Sequence, residues 1–93
     1  MPETQTKPVE LLLIRSDPPC GKCRKADALL DEVAAAQPGT VTVRVITTAD
    51  AEAMRYGAVL TPMVVLNGKI VCAGLVPVRS GLEKLIAAEA ARP

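Results

Sequence analysis

Two cysteines three positions apart, in the run Cys20-Gly21-Lys22-Cys23, are the residues of this chain best suited to chemistry. Thiols at that spacing can close and reopen a disulfide within one helical turn. The same spacing also holds metals, but a closed zinc site needs four ligands. Cys72 is a third sulfur and the chain has no histidine, so a fourth ligand would have to come from Asp17, water or a second chain. Cu(I) or arsenite, which accept two or three sulfurs, are the stronger metal alternative. No resident metal and no other cofactor is expected.

Only a thiolate attacks a disulfide, so one cysteine must carry charge near neutral pH. Cys20 is expected to open a helix, where unpaired backbone N–H groups and the helix dipole favour an anion by about 0.3–1 kcal/mol, and by up to about 2 in good geometry. Gly21, Lys22, Arg24 and Lys25 form that first turn, and its three cations act in the same direction. Their plainer role is a solvated helix face.

The elements that must position this pair can be read on either side of it. Val9 to Ile14 is nearly all apolar, as in a central strand covered on both faces. Pro18 and Pro19 cannot extend a sheet ladder, and each disfavours helix in the residue before it, so a helix starts at about Cys20. Ala26, Leu29, Leu30, Val33 and Ala34 then recur at helical spacing until Gln37-Pro38-Gly39. Val41, Val43 and Val45 alternate with polar residues, the pattern of a half-buried strand. A short helix follows, with Thr47 or Thr48 as its cap and Gly57 as its stop. Thr61-Pro62 leads into the strand Met63-Val64-Val65-Leu66, Asn67-Gly68 marks a two-residue hairpin, and Ile70 to Ala73 returns. Ser80 and Glu83 read as the capping box of a last helix whose buried stripe is Leu82, Leu85 and Ile86.

This order, β-α-β-α-β-β-α, predicts an α/β fold with a four-stranded mixed sheet and three flanking helices. One domain over residues 9–91 behind a flexible tail at 1–8 is what a chain of 93 residues has room for. Tyr56 is the sole aromatic, so the core is aliphatic, each side chain contributing about 1.5–3 kcal/mol on full burial. A net charge of +1 with so few aromatics argues against a nucleic-acid partner. The absence of histidine removes imidazole acid–base catalysis. The polar start at Met1 to Pro8 does not read as a secretory signal, and the apolar run at Leu11 to Ile14 is too short to span a bilayer. A monomer in the cytoplasm, with no membrane partner, is the expectation.

The order Cys20-Gly21-Lys22-Cys23, Tyr56-Gly57, Thr61-Pro62, the Asn67-Gly68-Lys69 hairpin and Gly74-Leu75-Val76-Pro77 is similar to the thioredoxin-like superfamily in its short form. More narrowly, it resembles the small "redox-active disulfide protein" type, over roughly residues 9–87. The resemblance implies a thiol–disulfide oxidoreductase with Cys20 as nucleophile and Cys23 as resolving thiol. It also implies a cis Pro62, with Thr61, Pro62 and Gly74 beside the cysteines to seat an extended substrate segment. Partners would be proteins with disulfides and an unidentified reductase that donates electrons. The chain departs from thioredoxins at Pro19, where they carry tryptophan, and at Gly21-Lys22, where they carry Gly-Pro. Their buried aspartate under the second cysteine is absent, since the first strand offers Leu13 and Ile14. The Gly-Gly and following acid with which glutaredoxins hold glutathione are replaced by Gly74-Leu75, with no acid before Glu83.

Two other classes of function stay open on these residues: a binder of soft metal or metalloid through the same thiols, and a non-catalytic adaptor working through its sheet edge. Cys72 reads as a small buried hydrophobe, with a third active thiol as the lesser alternative.

Overall fold

The computed structural model describes residues 8–57 and 60–91. Its elements run β1 (Val9–Arg15), α1 (Gly21–Ala36), β2 (Val41–Thr47), α2 (Ala51–Met54), β3 (Met63–Leu66), β4 (Lys69–Ala73) and α3 (Arg79–Ala90), in the predicted order. Residues 1–7 of the expected tail lie outside the described residues, and Pro8 is exposed.

The four strands form one mixed sheet in the order β2-β1-β3-β4. β1 pairs parallel with β2 and antiparallel with β3, and β3 pairs antiparallel with β4. This places the apolar run of β1 in the sheet interior, and Leu11, Leu12, Leu13 and Ile14 are all buried. Alternate side chains feed two layers. Val9, Leu11 and Leu13 pack with Ala26, Leu30 and Val33 of α1 and with Leu82 and Ile86 of α3. Leu12 and Ile14 pack on the other face with Ala53, Met63 and Val65, where Tyr56 joins them partly buried. Asn67 and Gly68 both have positive φ, 47° and 87°, as the tight hairpin between β3 and β4 requires.

Four local expectations need correction. The α2 cap position is Asp50, not Thr47 or Thr48, because the Asp50 carboxylate accepts the Thr47 backbone N–H at 2.8 Å and so closes the turn into the helix. The Ser80/Glu83 capping box does not form. The first helical hydrogen bond already runs from Leu82 N–H to the Val78 carbonyl at 2.9 Å, so Ser80 lies inside the first turn, and Glu83 accepts instead from Arg79 at 3.0 Å. Leu85 is exposed, because the buried stripe of α3 is Leu82, Ile86 and Ala90, one turn apart at each step. Val45 is also exposed, since β2 is an edge strand and burial on that face fades from Val41 through Val43 to Val45.

Candidate active site

The cysteine pair lies where β1 ends and α1 begins. Cys20 is the N-cap, in extended geometry (φ −79°, ψ 174°), and its carbonyl accepts the Arg24 N–H at 3.0 Å to start the helix. Its sulfur does what a capping serine or aspartate does elsewhere, accepting the Cys23 backbone N–H at 3.2 Å. One turn on, Cys23 is among the buried residues of α1 while Cys20 remains exposed. The two are free thiols whose sulfurs lie 2.8 Å apart, with the Cys20 thiol donating to Cys23. Less than about 1 Å of further approach would bring them to the S–S distance of a disulfide, about 2.05 Å.

Ser16, which no motif of the sequence singles out, completes this cluster. Its hydroxyl accepts the Cys20 N–H at 3.1 Å, donates to the Pro18 carbonyl at 2.9 Å, and lies 3.5 Å from the Cys23 sulfur. Arg15 holds the segment from behind, its guanidinium donating to the Ser16 carbonyl at 2.8 Å. The available signal was a hydroxyl four residues ahead of the expected N-cap cysteine, with two prolines between them.

The electrostatics centre on the deeper sulfur. Burial pushes the Cys23 thiol up, but hydrogen bonds from the Cys20 thiol, then from the Ser16 hydroxyl and from the backbone of both residues, bring it down from 9.0 to about 7. The sequence argument places the anion on Cys20; the lowered pKa belongs to Cys23. Lys22, Arg24 and Lys25 are exposed, and among the described residues no hydrogen bond or ion pair joins them to either sulfur. Gly21 is exposed, with open space where a Cβ would be.

Register brings the other expected residues to the same end of the sheet. Ile14 of β1 pairs with Met63 of β3, which pairs with Ala73 of β4. Pro62, just before Met63, and Gly74, just after Ala73, therefore sit at the end where β1 hands over to the cysteine loop. Pro62 is buried and its bond to Thr61 is cis, as is the bond from Asp17 to Pro18. Gly74 donates its N–H to the Pro62 carbonyl at 2.8 Å and has φ +79°. Leu60 and Leu75 stand exposed beside this corner.

Cys72 is half-buried, its sulfur donating to the Leu75 carbonyl at 3.1 Å. A bulge in β4 opposite Val64 and Val65 leaves Val71 and Cys72 both against the first core layer. Cys72 is not gathered with the pair: among the described residues, no three of His, Cys, Asp and Glu are placed to hold a metal ion. No helix among these residues is long and apolar enough to cross a membrane.

Residues 10–87 match the family model described as a thioredoxin domain. No curated protein matches the chain.

Proposed function

The chain belongs to the thioredoxin-domain family, and from that premise we propose that it is a thiol–disulfide oxidoreductase that reduces disulfides in protein substrates. The observation that carries this reading is the contact of an exposed helix-capping thiol, Cys20, with a buried thiol, Cys23, at 2.8 Å. Exposure decides which sulfur meets the substrate. With Cys23 as the thiolate, Cys20 passes its proton to it across their hydrogen bond as it attacks, and bonds to one sulfur of the substrate disulfide. The substrate S–S bond breaks, and the released thiolate takes a proton from solvent.

The second exchange uses Cys23. Cys23 first loses to solvent the proton it took from Cys20; its thiolate then attacks the Cys20 sulfur, the Cys20–substrate bond breaks, and the second substrate thiolate leaves and takes a proton from solvent. Two electrons have then passed from the cysteine pair to the substrate disulfide, and Cys20 and Cys23 are joined. An electron-donating reductase would reopen them. A reducing compartment such as the cytoplasm would keep the pair in the dithiol form this direction needs. A Cys23 pKa near 7 suits the first exchange, because near neutral pH a thiolate is then present at Cys23 to take the Cys20 proton.

In this reading Thr61, Pro62 and Gly74 seat an extended piece of the substrate by backbone pairing, with the exposed Leu60 and Leu75 offering it apolar contact. The test is turnover of a protein disulfide in the presence of a small dithiol. The wild-type chain should accelerate reduction, while Cys20→Ser should leave the uncatalysed rate. Equal rates with and without the wild-type chain would remove the proposal and leave metal or metalloid binding to be measured on the same thiols.

A further inference from the structure

The Ser16 hydroxyl is short of one proton for the partners around it once Cys23 is charged. A hydroxyl donates once and accepts twice. Here it accepts from Cys20 N–H at 3.1 Å and donates to the Pro18 carbonyl at 2.9 Å, with the Cys23 sulfur 3.5 Å away as either donor or acceptor. While Cys23 is a thiol, its S–H fills the second acceptor site and every group has a partner. Once Cys23 is a thiolate it can only accept, and the hydroxyl proton has a stronger acceptor to turn to. Rotation about one bond makes that change, and Pro18 is exposed, so water replaces the hydrogen bond its carbonyl gives up.

We propose that Ser16 is the positioning residue of the resolving step, its hydroxyl turning from the Pro18 carbonyl to the Cys23 sulfur whenever that sulfur is charged. The proposal rests on the exchange chemistry above. In the mixed disulfide, Cys20 has no thiol proton to donate, and Ser16 is then the side chain left holding the Cys23 anion in line with the Cys20 sulfur. As the Cys23–Cys20 bond forms, charge moves to the departing substrate sulfur and the hydroxyl returns to Pro18. Ser16 gives up no proton in the cycle. No charged side chain among the described residues hydrogen-bonds the Cys23 sulfur, so a neutral hydroxyl fills that place.

The experiment compares Ser16→Ala, Ser16→Thr and Ser16→Val; the last two have the same shape and differ in the hydroxyl. Two quantities are read: the pH midpoint of thiolate absorbance in the reduced protein, and the lifetime of the mixed disulfide in a single turnover with a protein disulfide. Ser16→Ala and Ser16→Val should raise the midpoint and lengthen the lifetime about tenfold, the size of one hydrogen bond to a charged sulfur. Ser16→Thr should restore both. Unchanged midpoints in the variants, equal slowing of formation and resolution, or Thr behaving as Val would overturn the proposal. The midpoint arm needs no substrate, so it tests Ser16 even if the wild type turns nothing over, an outcome that would remove the exchange function instead.

Discussion

The Cys20 sulfur accepts the backbone N–H of Cys23 at 3.2 Å, so the atom proposed to attack the substrate is also the cap of α1. Chemistry and helix stability therefore meet in one side chain, and substitutions can separate them. Cys20→Ser keeps an oxygen acceptor at the cap and should lose all exchange activity with little change in unfolding free energy. Cys20→Ala loses activity and should also destabilise the fold by about 0.5–2 kcal/mol, the usual cost of a lost N-cap. Urea titration of the reduced variants reads the difference.

The lowered pKa of Cys23 makes the stability of the reduced protein pH-dependent. Its folded value, about 7, lies below its ordinary 9.0, so the unfolded chain binds the proton more tightly in that interval. The contribution is absent below about pH 7, grows between 7 and 9, and is complete above 9. At about 1.4 kcal/mol per unit the whole gain is roughly 2–3 kcal/mol. Unfolding of the dithiol form at pH 6 and at pH 9 should show it, and Cys23→Ala should flatten the profile.

Gly74 holds a conformation that a side chain resists. Its φ is +79°, and a Cβ there would lie 3.4 Å from the Leu60 Cβ. Gly74→Ala should cost about 1–2 kcal/mol of stability from the left-handed backbone alone. This corner is also the proposed substrate seat, so KM for a protein disulfide should rise. Alkylation of Cys20 by a small reagent, which needs no such seat, should keep its rate.

The order of elements was legible because each rests on a strong local signal: the apolar run of β1, the prolines before α1, the Asn67-Gly68 hairpin and the Leu82/Ile86 repeat. The cysteines were legible because strand, proline break and helix place them. What escaped depends on contacts between segments. Asp50 closes the turn into α2 because its carboxylate folds back onto Thr47, a choice among neighbouring polar residues that spacing does not rank. Glu83 is claimed by Arg79, so the capping-box pattern at Ser80 competes with an ion pair one turn long and loses. Ser16 became visible only once the Pro18-Pro19 loop folded back and set its hydroxyl against both cysteines. The siting of the lowered pKa on Cys23 has the same origin: helix position points to Cys20, whereas the hydrogen bonds converge on the buried sulfur.

The central claim is that Cys20 takes the substrate and Cys23 releases it, and the most direct measurement is to map the trapped intermediate. Cys23→Ser should accumulate a covalent adduct when mixed with a protein disulfide, and peptide mass mapping should place every substrate fragment on Cys20. Cys20→Ser, with only the buried sulfur of the pair left, should trap little. An adduct found on Cys72, or no adduct with either variant, would contradict the account.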